Sequence, residues 1–327
     1  KMQIFNMDQN QPFSIKDTLD IILNKHGNIL KFNDIFKYEE FISVHHIDFS
    51  TKTKADLSPE FYETIWYFAT IAYNLFPKEV QSIFKYETIY PFYLKLLFMD
   101  PFNKKSNYLS KSFKQFITGY LSLLKPLGIG ANDIVDINLK ESMEEPFYIV
   151  ISHKNKTIVG IRGTITVDDC KLDLDAASSC VEINGETFYF HRGFYKLASA
   201  LVDQIINKQL VSNLVLTGLS MGAAVASIAT VLLNKRGVQC TAFVFAQPPC
   251  MSENLIDYSK QFITHVCISN DHIIRCSQLA VRVMIRRLAQ IKMNTSNLLK
   301  TDVDFKNAFT KDIISFEQRY DDLYCAG

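Results

Sequence analysis

One segment of the sequence has no charged residue over 20 positions: LVLTGLSMGAAVASIATVLL, residues 214–233. About 20 consecutive apolar residues suffice to cross the core of a bilayer, so a membrane-spanning helix is one interpretation. The interior of the segment favours another. Gly218, Ser220 and Gly222 form the pattern G-x-S-x-G between an apolar, partly β-branched run and an alanine-rich run. That order predicts a strand, a sharp turn that exposes a serine, and a helix.

The elements around this segment decide between the two interpretations. Short apolar strands are predicted at residues 211–217, 240–246 and 262–269, with helical stretches between them and a further helix at 197–210. Strands that alternate with helices predict a mostly parallel sheet covered on both faces. Ser220 then follows the carboxyl end of a buried strand, where open α/β sheets place their active sites. We therefore predict the turn and not the membrane span.

The pattern divides the chain into two regions. Residues 1–145 are mainly helical in pattern: Ser58-Pro59-Glu60 starts a helix whose apolar positions recur as far as Phe76, and a second helix is predicted at 110–124. Residues 146–327 carry the alternating strands and helices. Near their start, PFYIVISHKNKTIVGIRGT predicts two strands around a turn.

Charge, cysteine content and motifs exclude several classes of function. The 35 Lys and Arg balance 34 Asp and Glu, so we expect no nucleic-acid partner. No metal-ligand spacing, phosphate loop or dinucleotide motif is present, and we expect neither a metal nor another cofactor. The seven cysteines are scattered without a C-x-x-C pair, and the first residues lack the build of a signal peptide. We expect a reducing, cytoplasmic location and no transmembrane segment.

A serine nucleophile needs an acid and a base, which follow it in the chain in this kind of fold. The turn would expose Ser220 Oγ, and the Met221 amide would donate to an oxyanion. Asp271 follows an apolar strand and is the acid candidate; the alternative is a loop aspartate that caps a turn. The base is the difficulty. His272 adjoins the acid on an extended strand end, and we interpret His191 as a structural histidine.

Several of these segments together resemble a known family. IVGIRGT, HRGFY, GLSMG, and Asp271 with Arg275 are similar to motifs of the class 3 (fungal-type) lipases, and within them to the sn-1-specific diacylglycerol lipases. The resemblance covers about residues 146–285. It implies an α/β-hydrolase fold on which the N-terminal helical portion packs.

The resemblance also assigns roles to four residues. It implies that Ser220 is the nucleophile, that Asp271 is the triad acid, and that the amides of Thr164 and Met221 form the oxyanion hole. Thr164 is carried over from the Arg-Gly-Thr motif at the end of the preceding strand.

The sequence departs from the family pattern at three places. Leu219 stands where the family usually has a histidine, and Ile274 stands where proline commonly precedes the arginine. The family's catalytic histidine lies beyond Gly327, and we expect from this that the chain is cut short at its C-terminus.

The resemblance implies a serine hydrolase that cleaves an acylglycerol ester, diacylglycerol above all, and releases a fatty acid through an acyl-enzyme. The alternatives are a phospholipase A1, a triacylglycerol lipase, or a lipase-like lipid-binding or scaffold protein with an incomplete triad. The expected partner is acylglycerol or phospholipid at a membrane or droplet surface. Residues 277–293 carry Arg282, Arg286, Arg287 and Lys292 among apolar residues, which fits peripheral membrane attachment or an ordinary surface helix.

Overall fold

The computed structural model describes residues 58–76, 113–139, 143–267, 271 and 273–276. Its strands are β1 Ile134–Asn138, β2 Tyr148–His153, β3 Lys156–Ile161, β4 Ser178–Ile183, β5 Glu186–His191, β6 Leu214–Leu219, β7 Cys240–Phe245 and β8 Ile263–Val266. Its α-helices are α1 Pro59–Tyr73, α2 Phe113–Leu124, α3 Val167–Leu174, α4 Arg192–Asn207, α5 Met221–Lys235 and α6 Ile256–Ser259. Single 3₁₀ turns occupy Lys125–Leu127, Ala131–Asp133, Glu253–Leu255 and Ile273–Arg275.

Six strands form one sheet in the order β1-β2-β3-β6-β7-β8. The pairings of β3 with β6, β6 with β7, and β7 with β8 are parallel, whereas β1, β2 and β3 pair antiparallel. The predicted mostly parallel sheet is confirmed. The strands β4 and β5 form a separate two-stranded hairpin.

Helices cover both faces of the sheet, as predicted. Along β2, Tyr148 and Val150 belong to the apolar core that includes α4 and α5, while Ile149 and Ile151 belong to the core that includes α1 and α2. Successive side chains of a strand point to opposite faces, so β2 is buried on both sides. All four of these side chains are at most 1% exposed. This double burial explains why the strands read as nearly continuous apolar runs.

Helix α1 begins where the sequence predicts. The hydroxyl of Ser58 accepts a hydrogen bond from the Phe61 amide at 3.2 Å, and Pro59 occupies the first turn. The buried face of the helix lies on the sheet, where the ring of Phe68 stacks on that of Phe243 with centroids 4.6 Å apart. At the far end of the helix, Phe76 packs with Ile165 and Leu219, close to the G-x-S-x-G turn.

Three features differ from the prediction. Strand β1 lies within residues 1–145 yet joins the sheet, so the sheet begins earlier in the chain than predicted, and the division at residue 145 stays a prediction. Helix α4 begins at Arg192 and not at residue 197, because Nδ1 of His191 accepts a hydrogen bond from the Phe194 amide and caps the helix there. Asn184 and Gly185, both at positive φ, turn the unpredicted β4–β5 hairpin.

The uncharged segment 214–233 is therefore a strand, a turn and most of a helix. It comprises β6, Ser220 and the greater part of α5. Among the helices that the structure describes, none is both long enough and apolar enough to cross a membrane.

Candidate active site

The turn between β6 and α5 holds Ser220 in a backbone conformation that is rare outside glycine. Its φ is 59° and its ψ is −124°. Such a conformation costs a non-glycine residue about 1–3 kcal/mol and persists only where the surroundings impose it. Here the Ser220 amide donates to the Phe245 carbonyl at 3.0 Å, and the Ser220 carbonyl accepts from the Ala223 and Ala224 amides at 2.9 and 3.1 Å. These bonds fix the serine between strand and helix.

The two glycines of the motif allow the turn to be this tight. A Cβ atom at Gly218 would lie 2.4 Å from the carbonyl carbon and oxygen of Gly222. A Cβ atom at Gly222 would lie 2.4 Å from the Ile161 carbonyl oxygen of β3. Real Cβ atoms do not approach backbone atoms so closely, so both positions require glycine. This unit of strand, turn and helix lies in a mostly parallel sheet with helices on both faces, which is the predicted α/β-hydrolase fold.

Ser220 and Met221 lie at the amino end of a 15-residue helix. The hydroxyl of Ser220 makes no capping bond to the helix, and no side chain of the described ranges hydrogen-bonds to it. Nor does the Met221 amide donate to any group in these ranges. The amino end of a helix carries a partial positive charge and unpaired N–H groups, both of which favour a developing anion. The turn therefore presents a hydroxyl beside a free amide donor.

Thr164 lies on the loop of residues 162–166, which follows β3 at the same edge of the sheet. The parallel register pairs Ile161 with Gly218, which brings this loop beside the turn. A Cβ atom at Gly163 would lie 2.6 Å from the Leu219 carbonyl oxygen, so loop and turn are in close contact. The Thr164 side chain is buried, and its hydroxyl donates to Oδ2 of Asp173 at 2.8 Å. The structure thus brings Thr164 and Met221, predicted from different segments, to one place.

Asp271 follows β8 at this same carboxyl edge, with β7 lying between β8 and β6. With strands about 4.8 Å apart, the ends of β6 and β8 are about 10 Å apart. One oxygen of Asp271 accepts from the Ile273 amide at 2.8 Å and so caps the Ile273–Arg275 turn. A carboxylate has a second oxygen, so capping and the role of triad acid are compatible.

The described histidines lie against other groups, and Nδ1 of His153 is 3.7 Å from Oδ1 of Asp133. His191 caps α4, and its Nε2 lies 3.2 Å from the Asp173 carbonyl oxygen, so the interpretation as a structural histidine is confirmed. Nε2 of His265 accepts from the Gln247 amide at 3.0 Å. Burial lowers the pKa of both imidazoles to about 4. Of the histidines in the described ranges, none hydrogen-bonds to Ser220 or Asp271, and His272 lies outside those ranges.

Two acidic residues beside the site were not predicted from the sequence. Asp169 and Asp173, one turn apart on α3, both hydrogen-bond to the 162–166 loop. The capping-box pattern that Thr166 forms with Asp169 was the available signal. Within the described ranges, no group of three or more His, Cys, Asp or Glu could hold a metal ion.

Comparison with known proteins shows which family this part of the chain is similar to. Residues 158–280 match the model of the lipase (class 3) family. Diacylglycerol lipase-beta of Mus musculus is 29% identical over 189 residues, which are 54% of this chain and 28% of that protein. Diacylglycerol lipase-alpha of Homo sapiens is 28% identical over 180 residues, 49% of this chain and 17% of that protein. The chain therefore spans less than a third of the length of these curated relatives.

Solved structures of fungal lipases also superpose in part. A fungal lipase–inhibitor complex is 14% identical, covers 69% of this chain and 77% of its own, and gives a TM-score of 0.44. A mutant form of MDLA from Penicillium cyclopium is 18% identical, covers 64% and 72%, and gives a TM-score of 0.42. The fold assignment rests on the strand order and the turn described above. The predicted resemblance to the class 3 lipases, and among them to the diacylglycerol lipases, is confirmed by the family model and the curated relatives.

Proposed function

Because residues 158–280 match the class 3 lipase family, we propose that this protein is a serine hydrolase that cleaves acylglycerol esters. The observation that carries the proposal is the strained turn at Ser220. It presents a hydroxyl without a hydrogen-bond partner in the described ranges, beside the Met221 amide and at the amino end of α5. Strain at a single non-glycine residue is typical of functional sites.

The reaction follows from the placement of these groups. Ser220 Oγ attacks the acyl carbonyl while a base takes its proton, and the amides of Thr164 and Met221 donate to the oxyanion that forms. The tetrahedral species then expels the glyceride alcohol, which takes its proton from the protonated base, and leaves an acyl-enzyme. Water attacks the acyl-enzyme in the same manner and releases the fatty acid. The base that this scheme needs is an imidazole between Asp271 and Ser220, over the end of β7.

Diacylglycerol is the substrate that we propose, with the lipid presented at a membrane or droplet surface. Support comes from the two curated relatives, which are named diacylglycerol lipases. A phospholipase A1 and a triacylglycerol lipase use the same chemistry on other head groups. These alternatives differ only in the lipid ester that enters the site.

One observation favours a second function, that of a lipase-like protein that binds lipid without hydrolysing it. None of the histidines in the described ranges lies in hydrogen-bond contact with Ser220. Without a base the serine hydroxyl stays protonated and attacks poorly, although oxyanion donors and binding alone leave about 10³- to 10⁴-fold acceleration over water in serine proteases.

Labelling with a fluorophosphonate probe tests the nucleophile. The wild-type protein should be labelled and Ser220→Ala should not, whereas Ser178→Ala, which removes an exposed serine of β4, should be labelled like the wild type. Labelling that survives Ser220→Ala would place the nucleophile elsewhere.

A panel of diacylglycerol, triacylglycerol and phospholipid then tests the substrate by release of fatty acid. We expect the fastest release from diacylglycerol. Faster release from either of the other lipids would replace diacylglycerol as the substrate, and binding of lipid with no release from any of them would favour the lipid-binding function.

A further inference from the structure

Two carboxylates of α3 hold the 162–166 loop: Asp173 accepts from the hydroxyl of Thr164, and one oxygen of Asp169 accepts three hydrogen bonds from the rest of the loop. Oδ2 of Asp169 accepts hydrogen bonds from the Ile165 amide at 2.9 Å, the Thr166 amide at 2.9 Å and Nη2 of Arg162 at 3.0 Å. In return, the Asp169 amide donates to Oγ1 of Thr166 at 3.1 Å. The first and last residues of the loop are thereby tied to a single atom of α3.

This interaction is shielded from water. Arg162 is 2% exposed and Asp169 is 9% exposed. The guanidinium group of Arg162 also lies over the ring of Phe147, 4.7 Å from its centroid. A buried carboxylate is stabilised when hydrogen bonds use its remaining lone pairs, and the two backbone amides provide such bonds to Asp169.

The amides of the loop have different partners, and that of Arg162 donates to the Phe147 carbonyl at 3.1 Å. Those of Ile165 and Thr166 donate to Asp169, whereas the amide of Thr164 donates to no group in the described ranges. An oxyanion donor must remain unused in the resting protein and must also be fixed in position before the reaction begins. Asp169 satisfies both requirements, since it engages the neighbouring amides and leaves that of Thr164 available.

We propose that Asp169 is a positioning residue for the oxyanion hole. Its carboxylate fixes the 162–166 loop against the Ser220 turn, so that the amides of Thr164 and Met221 converge on one point. The close approach of Gly163 to the Leu219 carbonyl transmits this position from the loop to the turn. This role rests on the proposed hydrolase function and adds to it a residue that does not touch the substrate.

The test compares Asp169→Ala and Asp169→Asn with the matched change Asp168→Ala in the full-length protein. Asp168 is the adjacent residue of α3, is half exposed and pairs with Lys171 at the surface. We expect Asp169→Ala to lower kcat by about 10- to 100-fold, since a misplacement of 1 Å can cost about 100-fold, and to leave KM within about twofold. Asp169→Asn should fall between the alanine variant and wild type, because its amide oxygen still accepts from the two backbone amides. Asp168→Ala should match wild type.

A second measurement separates positioning from a general loss of structure. A trifluoromethyl ketone adds to the serine and forms an oxyanion, so its inhibition constant reports the oxyanion hole directly. The concentration of active sites in each variant is titrated with fluorophosphonate, and kcat is expressed per active site. We expect the inhibition constant to rise in the Asp169 variants by the same factor by which kcat falls. Thermal unfolding checks that each variant is folded.

The outcomes distinguish the two proposals. An Asp169→Asn or Asp169→Ala protein that is folded, with kcat and inhibition constant unchanged per active site, overturns the positioning role alone. A parallel fall in kcat for Asp168→Ala overturns it as well, because the effect is then not specific to Asp169. A wild-type protein that neither reacts with fluorophosphonate nor hydrolyses any ester overturns the proposed function first.

Discussion

At the scale of single residues, two of the seven described non-glycine residues with positive φ lie at the carboxyl edge of the parallel strands. Ser220 and Ala246 follow β6 and β7 directly, and both are non-glycine residues with positive φ, at 59° and 47°. Each is held by a strand on its other side: the Ser220 amide donates to Phe245, and the Ala246 amide donates to Val266. The strain is therefore imposed by the sheet, at the edge where the proposed nucleophile lies.

Asp271→Asn tests the acid at this scale. The asparagine oxygen still accepts from the Ile273 amide, so the turn should keep its structure. Turnover should fall by about 10⁴-fold, as in serine proteases in which the same change leaves the catalytic histidine in the wrong tautomer.

Turnover of acylglycerol and thermal unfolding are measured together, with Asp257→Asn as the control. Asp257 is an exposed residue that pairs with Lys260, and its substitution should leave both quantities unchanged. Full activity in Asp271→Asn would leave Asp271 with its capping role only.

At the scale of elements, α5 is the helix on which the site depends. Thirteen consecutive residues, from Met221 to Leu233, are buried, so the helix is surrounded by protein on all sides. Helix α5 packs on β3, β6 and β7 as well as on α4. A helix fixed in this way holds its first turn, and with it Ser220 and Met221, in one position relative to the sheet.

Gly222→Ala tests the fit of α5 against β3. The new methyl group would lie 2.4 Å from the Ile161 carbonyl oxygen and 2.9 Å from the Arg162 backbone, so helix and strand must separate. We expect a loss of about 1–3 kcal/mol in the free energy of unfolding, measured by urea denaturation, together with lower turnover.

Gly119→Ala is the matched control, because it makes the same change in the interior of α2. A Cβ atom at Gly119 meets nothing within 4 Å, and alanine is the better helix former there by about 0.5–1 kcal/mol. This variant should be as stable as wild type or more so. Equal stability of Gly222→Ala would mean that helix and strand adjust to the methyl group without strain.

At the scale of the whole molecule, the buried His191 and the partly buried His265 make stability depend on pH. Burial lowers the pKa of His191 and of His265 from 6.5 to about 4. Between these values the unfolded chain binds protons that the folded protein excludes. The stability that comes from the neutral imidazoles is therefore fully present above pH 6.5 and is lost as the pH falls to about 4.

His191→Asn should flatten this dependence. Asparagine is a good N-cap and keeps an acceptor for the Phe194 amide, but it does not titrate. Between pH 7.5 and pH 5, each histidine should lower the free energy of unfolding of the wild-type protein by about 2 kcal/mol. The variant lacks His191, so its free energy of unfolding should fall by about 2 kcal/mol less over the same range. Thermal unfolding between pH 7.5 and 4.5 measures the difference. An unchanged slope in the variant would show that His191 is not a source of the pH dependence.

The sequence by itself determined the parts of this protein that are encoded locally. The strand–turn–helix at Ser220, the cap of α1 at Ser58 and the buried parallel strands all follow from patterns within a few consecutive residues. Backbone conformation and side-chain period are set over such distances, so the pattern predicts them. The position of Ser220 at the carboxyl edge of the sheet follows as well, since parallel strands end at one edge.

Only the tertiary structure decided how the elements combine. The sequence does not show that β1 joins the sheet, that Asp169 ties both ends of the 162–166 loop, or that Gly163 touches Leu219. The last of these contacts joins residues more than 50 positions apart in the chain. This contact forms only when whole strands and helices pack against each other, and local sequence patterns do not predict that packing. Asp169 shows the same limit at shorter range, because the pattern predicts its capping bond to Thr166 but not the buried arginine that shares its oxygen.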